Sequence, residues 1–156
     1  MGKLVVNSHA EFEQHVGELI GISDYLKITQ EQINLFAEAT LDHQWIHVDV
    51  ERAKKESPFG TTIAHGYLTL SILPYLWEQI IEVNNLKLQV NYGIEKLRYG
   101  TPVPVNGEVR VNASLKALTN LRGISKAEID VTLELKDSKK PVLNGIIVFL
   151  YHFDNN

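Results

Sequence analysis

The segment that most constrains the fold is the run from Gly66 to Val83, GYLTLSILPYLWEQIIEV. Its helical pattern is apolar nearly all the way round, and a helix without a polar face must be surrounded by protein rather than lie on a surface. Pro74 lies inside the run and predicts a bend in the helix. Polar residues interrupt the run before it reaches the roughly 20 apolar residues of a membrane span. We therefore predict a central core helix over Gly66–Val83.

The second half of the chain has the two-residue periodicity of β-strands. Apolar and polar residues alternate in Leu86–Tyr92, Val109–Ala117 and Ala127–Leu135, which predicts strands with one solvated face. Ile146–Phe153 is apolar except for His152, as expected of a strand that is covered on both faces. One apolar helix and these strands predict an α+β protein of the hot-dog fold, in which a curved antiparallel sheet wraps around a long central helix.

The edge of such a sheet predicts self-association. An uncovered edge strand exposes unpaired backbone groups, and pairing with a second copy of the chain removes that exposure. We therefore expect a homodimer or a larger homo-oligomer.

The first part of the chain gives weaker signals. Residues 1–15 are interpreted as a loose arm or a short helix, and 17–28 as a strand. Thr29 and Gln32 have capping-box spacing, which predicts a helix from Gln30 to Leu41. Periodicity is lost over 42–64, where Asp49 is expected to cap one short helical turn. Residues 1–156 are interpreted as one domain.

Composition excludes several classes of function. The chain has 15 Lys and Arg against 19 Asp and Glu, a net charge of −4 that disfavours nucleic-acid binding. It has no cysteine, which excludes disulfides, thiol nucleophiles and cysteine-ligated zinc. The first residues lack an apolar signal core, and we expect a cytoplasmic protein with no membrane segment.

The polar stretch before the central helix carries the candidate chemistry. Asp42 and His47 lie five residues apart, and His65-Gly66 stands at the helix start. A carboxylate and an imidazole can share general acid–base work, and an N–H at a helix N-terminus can stabilise a developing oxyanion. No two histidines are predicted to share a helix at i, i+4, and no cysteine assists, so we expect no bound metal. His65 is expected to hold the loop before the helix.

This stretch resembles a known family motif. Asp42–His47, DHQWIH, resembles the hydratase-2 motif of the MaoC-like dehydratase family, which reads D-x-N-P-(aliphatic)-H and is followed by His-Gly at a helix start. The similarity continues through Ser57–Gly60, Ile63–Gly66 and Val90–Gly93, and it is greatest with the branch of nodulation protein N. Gln44 and Trp45 replace the asparagine and proline of the motif, which bears on substrate size more than on the reaction.

The resemblance implies an (R)-specific 2-enoyl-CoA hydratase, a hydro-lyase that reversibly adds water to a trans-2-enoyl thioester and gives the (R)-3-hydroxyacyl thioester. It makes Asp42 and His47 the catalytic pair, either of which can be the formal base, and Gly66 the oxyanion donor. Gln44 and Asn91 are candidate substrate-binding residues. The acyl carrier is CoA or acyl carrier protein. No cofactor is expected, because the thioester itself activates the alkene.

Two other functions are compatible with the same fold. One is a hot-dog protein that binds acyl thioesters without catalysis. The other is a hot-dog acyl-CoA thioesterase. That enzyme would need a carboxylate early in the central helix, but the first acidic residue after Gly66 is Glu78. Trp45, expected near the entrance of the site, predicts a preference for short to medium acyl chains.

Overall fold

A computed structural model describes residues 2–154. The strands are β1 Leu4–Val6, β2 Leu19–Ile22, β3 Leu26–Lys27, β4 Ile81–Val83, β5 Leu86–Tyr99, β6 Glu108–Leu121, β7 Ile124–Leu135 and β8 Leu143–Phe153. The helices are α1 His9–Glu13, α2 Gln30–Thr40, α3 Trp45–Val48, α4 Val50–Glu56, α5 Gly66–Ser71 and α6 Leu73–Glu78. No helix among the described residues is long and apolar enough to cross a membrane.

The main sheet is antiparallel and has the order β2-β6-β7-β8-β5, with β3 also paired to β6. All four strands predicted in the second half of the chain are present, and each is longer than its clearest apolar pattern. The strand predicted over 17–28 is divided into β2 and β3, which pair with successive parts of β6. Helix α2 ends one residue before the predicted Leu41, and α4 is longer than the single turn expected after Asp49.

The central helix is divided near its proline. Pro74 has no N–H to donate to Leu70, and α5 ends at Ser71 before α6 begins at Leu73. Ile72 between them keeps right-handed helical angles, φ −84° and ψ −9°. It donates to the Leu68 carbonyl and accepts from Leu76 N, both at 3.1 Å. Helices α5 and α6 therefore form one nearly continuous rod.

The prediction that this helix extends to Val83 is wrong. The rod ends at Glu78, and Ile81–Val83 forms β4, which pairs in parallel with β1, Leu4–Val6. Residues 1–15, interpreted as an arm or short helix, therefore contribute both a strand and α1. The β-branched residues of β4 favour a strand once a partner strand lies beside them, and apolar periodicity alone does not report that partner.

The sheet covers the rod on the side of β6, β7 and β8. Leu73, Leu76 and Trp77 are at most 1% exposed and belong to one core with these strands. The Trp77 indole Nε1 donates a 2.7 Å hydrogen bond to the hydroxyl of Tyr151 on β8, and this bond joins rod and sheet. Phe12 of α1 packs edge-on against the Tyr151 ring, with 5.6 Å between the ring centroids.

Strand β5 differs from its predicted environment. The alternation over Leu86–Tyr92 predicts one solvated and one covered face, but its apolar residues Leu88, Val90 and Tyr92 are 40–58% exposed. The reason is topological: β5 is an edge strand that pairs only with β8 in the described chain. The apolar face of β5 is therefore open to a further layer or partner.

Gly100, directly after β5, allows a close backbone approach that a fold variant can test. A Cβ at this position would lie 2.5 Å from the Pro141 carbonyl oxygen, where backbone leaves no room to shift. Gly100→Ala is expected to lower the free energy of unfolding by about 1–3 kcal/mol in urea denaturation. The matched variant Gly93→Ala, whose Cβ meets nothing within 4 Å, should stay within about 0.5 kcal/mol of wild type. Equal effects of the two substitutions would contradict this packing.

Candidate active site

The end of α2 presents Asp42 to solvent. Leu41, the C-cap, has left-handed angles, φ 63° and ψ 17°, and its side chain is 79% exposed. This conformation ends helices but is uncommon for a residue with a bulky side chain. The turn leaves Asp42 exposed, and one carboxylate oxygen lies 3.4 Å from the Gln44 amide nitrogen that donates to it.

His47 lies on the short helix α3 and is held in one tautomer. Its Nδ1 lies 2.7 Å from the Ile63 carbonyl oxygen. A carbonyl only accepts, so Nδ1 carries the proton and Nε2 keeps a free lone pair. The side chain is buried, and burial lowers the pKa of His47; nearby His65 lowers it further, whereas the bond to Ile63 and the charge of Asp42 oppose the change. His47 is therefore a neutral imidazole with a basic Nε2 near pH 7.

The half-buried amide of Gln30 fixes the backbone on which His47 stands. Gln30, the first residue of α2, donates from Nε2 to the His47 carbonyl at 2.8 Å. Its Oε1 accepts a 2.5 Å hydrogen bond from the hydroxyl of Thr62, which is fully buried. Sequence reasoning did not identify Gln30 or Thr62 as site residues. Gln30 was the predicted first residue of its helix, and nothing in the local pattern indicates the contact 17 residues away.

Gly66 begins α5 and presents its amide to a cavity. In the part of the chain that the structure describes, its N–H has no hydrogen-bond partner, as expected at the first turn of a helix. A Cβ at this position would lie 3.1 Å from Cε1 of Tyr99, a tight contact for a side chain. Glycine therefore leaves the amide accessible beside the Tyr99 ring.

His47 and Gly66 line the same cavity, which has a volume of about 170 Å³. The other lining residues are mostly apolar: Ile63, Ala64, Thr69, Tyr99, Gly100, Thr101, Pro102, Val103 and Val142. A hydrogen-bonding atom of Asp42 lies within 4.8 Å of one on His47. Two hydrogen bonds of ordinary length can span that distance, so one water molecule can contact both side chains.

Of the predicted site residues, His47 and Gly66 line this cavity, whereas Asp42, Gln44 and Asn91 are not among its lining residues. Gln44 is exposed on the N-terminal side of α3 and makes no side-chain cap. Asn91, on β5, lines a separate cleft of about 270 Å³ with Leu70 and Pro74. Trp45 is half-buried, and its ring lies 4.3 Å from the Arg52 guanidinium carbon, so this cation–π contact joins α3 to α4.

Asp42, His47 and His65 together have potential metal-ligand atoms within 4.8 Å of one another. Each histidine already uses one ring nitrogen in a hydrogen bond to a backbone carbonyl. The rings of His47 and His65 are stacked, 3.9 Å apart and 24° from parallel. Lone pairs lie in the ring planes, so two rings stacked within 24° of parallel are poorly oriented to coordinate one ion together. The arrangement suits hydrogen bonding to water better than metal coordination.

A comparison with known protein families identifies the family of this chain. The MaoC like domain matches residues 11–136. The chain belongs to the MaoC-like dehydratase family. It is thereby an enzyme of the dehydratase class, as the motif Asp42–His47 predicted.

Two relatives are similar to this chain in sequence over most of its length. The chain is 50% identical over 135 residues to 3-hydroxyacyl-thioester dehydratase Z of Mycobacterium tuberculosis, covering 86% of this chain and 89% of the relative. It is 37% identical over 152 residues to nodulation protein N of Rhizobium leguminosarum bv. viciae, covering 96% and 94%.

A solved structure establishes the fold. The R-hydratase PhaJ1 of Pseudomonas aeruginosa, in the unliganded form, superposes with a TM-score of 0.71 at 20% identity, covering 94% of this chain and 86% of PhaJ1. At this identity the likeness concerns the fold alone. The predicted hot-dog fold is confirmed.

The pKa of His47 makes a pH dependence measurable. Its folded pKa lies below the ordinary 6.5, so as pH falls through about 6.5 the unfolded chain takes up a proton before the folded one. Wild type should therefore lose free energy of unfolding on acidification, and His47→Gln should lose less between pH 7 and pH 5. Denaturant titrations at several pH values measure the difference.

His43 provides a control of opposite sign. A hydrogen bond to Glu38 raises the pKa of His43, which stabilises the fold at low pH, and this contribution is lost as pH rises through the folded pKa. His43→Gln should therefore steepen the loss on acidification. Superimposable pH profiles for wild type and His47→Gln would contradict the assigned environment of His47.

Proposed function

We propose that this MaoC-like protein is an (R)-specific 2-enoyl-thioester hydratase, acting reversibly between trans-2-enoyl and (R)-3-hydroxyacyl thioesters. The observation that carries the proposal is the approach of a carboxylate oxygen of Asp42 to within 4.8 Å of a ring nitrogen of His47, which lines a cavity together with Gly66. The name of the 50% identical relative, 3-hydroxyacyl-thioester dehydratase Z, supports the same reaction in the reverse direction.

The reaction assigns a role to each group. Asp42 and His47 hold one water molecule, which attacks C3 of the enoyl group while the pair takes one of its protons. C2 receives a proton from the same pair, so the pair ends the cycle with the number of protons with which it began. The thioester oxygen gains negative charge as the enolate forms, and the Gly66 N–H at the positive end of the rod stabilises it. Dehydration is the same sequence reversed.

The proposed reaction needs no metal or organic cofactor. The thioester carbonyl polarises the alkene, and the proton movements require only a carboxylate and an imidazole. The unprotonated Nε2 that this role needs is the state that burial of His47 favours. The proposal also retains the cytoplasmic location expected from the sequence.

The exposed edge of the sheet supports a homodimer. Strand β5 is 14 residues long, pairs on one side only in the described chain and carries five large apolar residues that are 40–58% exposed. Tyr67 and Tyr75 of the rod are a further 70% and 56% exposed. An uncovered apolar edge of this length is a site for self-pairing, and we propose that a second copy of the chain covers it.

The thioesterase alternative lacks its carboxylate. Glu78, the only acid in the rod, is exposed at the end opposite Gly66 and does not line the cavity. Thiol release from an acyl-CoA would nevertheless reveal that activity directly. The non-catalytic alternative predicts acyl-thioester binding without hydration.

Substitution of Asp42 tests the proposed reaction. Asp42→Asn keeps the shape of the side chain and removes its negative charge, so hydration of crotonyl-CoA should fall by about 10²–10⁴-fold. The loss of absorbance of the enoyl thioester measures the rate. Asp49→Asn is the matched control: Asp49 caps α4 through the Arg52 amide, and asparagine caps equally well. Near-wild-type turnover by Asp42→Asn, or equal loss in both variants, would refute the assignment.

The cavity predicts the chain length of the substrate. Its volume of about 170 Å³ corresponds to roughly six water volumes at ~30 Å³ each. We therefore expect kcat/KM to be highest for short enoyl chains and to fall steadily across a series of CoA thioesters from four to sixteen carbons. Fastest turnover on the longest substrates would show that the acyl chain leaves this cavity by another route.

A further inference from the structure

His65 is buried beside the catalytic pair, and the reaction proposed above uses none of its atoms. The side chain is 2% exposed. Its Nε2 lies 3.0 Å from the backbone carbonyl oxygen of Asp42, which can only accept, so Nε2 carries the proton. Nδ1 is then an acceptor, and it is buried without a hydrogen-bond partner among the described residues.

This unpartnered nitrogen argues against a purely structural side chain. A buried polar atom without a partner lowers the stability of the fold, and an apolar ring of the same size would not have that cost. The surroundings would accept such a ring, because the His65 ring already lies 4.9 Å from that of Phe36. The property that an apolar ring lacks at this position is an N–H that can donate to the Asp42 carbonyl oxygen.

His65 contacts every member of the proposed catalytic set. It bonds to the main chain of Asp42, stacks on the His47 ring at 3.9 Å and directly precedes Gly66. Its own carbonyl accepts from Leu68 N and Thr69 N, which anchors it to the first turn of the rod. One residue therefore links α2, α3 and the rod at the point where their reacting groups meet.

Asp42 depends on this link for its position. It is exposed and follows Leu41, whose left-handed backbone is unfavourable for a bulky side chain. Its carboxylate contact with Gln44 N is long, at 3.4 Å. In the described chain, no hydrogen bond other than that from His65 reaches the Asp42 carbonyl. Loss of the His65 donor would let the carboxylate move relative to His47.

We propose that His65 is a positioning residue that sets the separation of Asp42 and His47 through its Nε2–H bond to the Asp42 carbonyl. The inference rests on the proposed hydratase function for its kinetic consequence. It does not place His65 in contact with substrate. The relevant property is the donor atom rather than the size or aromatic character of the ring.

Two variants separate the donor from the ring. His65→Phe keeps an aromatic ring between Phe36 and His47 and removes both nitrogens. It should preserve or raise Tm, because the unpartnered Nδ1 is gone, while kcat for crotonyl-CoA falls about 10–100-fold with little change in KM. His65→Gln supplies an amide N–H within reach of the Asp42 carbonyl oxygen and should recover most of the wild-type kcat.

Hydrogen exchange gives a readout independent of activity. Backbone amides of residues 42–47 should exchange faster in His65→Phe than in wild type, and His65→Gln should restore their protection. Wild-type kcat or unchanged exchange in His65→Phe would overturn the role of His65, as would a His65→Gln variant as impaired as His65→Phe. An inactive wild type would instead refute the proposed function, and the exchange data would still decide whether His65 holds Asp42.

Discussion

The rest of the structure depends on the burial of a helix that is apolar on nearly every side. Such a helix is stable only inside protein. Its buried residues share one core with strands β6, β7 and β8, whereas the side that carries Tyr67 and Tyr75 is exposed in the single chain. The bond from Trp77 to Tyr151 ties its far end to the sheet. The first turn, at Gly66, remains exposed. The N-terminal end of the rod, where its first amides are unpaired, is thus where an anionic group can be stabilised.

The loop before the rod brings a base to that end. A buried imidazole bonded through Nδ1 to the Ile63 carbonyl cannot rotate away, and its remaining lone pair is available for proton transfer. Gln30 of α2 donates to the His47 carbonyl and is itself bonded to Thr62, which fixes the backbone of the same segment. Burial gives His47 the lowered pKa of a neutral base, whereas the side chain of Asp42 is exposed to solvent. The two members of the pair therefore differ in their exposure to solvent.

Local patterns predicted the parts of this protein that depend on neighbours in sequence. The apolar rod, the Thr29 cap, four long strands and the family motif around Asp42 and His47 are all of this kind. The conversion of Ile81–Val83 from helix to strand depends on β1, some 77 residues earlier, and no local signal reports it. The exposure of β5 follows from its place in the sheet order, and the contacts of Gln30 and His65 arise only when the loop is folded. What sequence reasoning missed is consistently a contact between distant segments.

The central claim is geometric: Asp42 and His47 hold the water that attacks C3 while the Gly66 amide binds the thioester oxygen. A crystal structure of the Asp42→Asn variant with crotonyl-CoA bound would test it most directly. The account predicts the thioester oxygen about 2.7–3.1 Å from Gly66 N, with C3 about 3–3.5 Å from a water bonded to His47 Nε2. A thioester oxygen bound away from Gly66, or a C3 atom beyond reach of that water, would contradict the account.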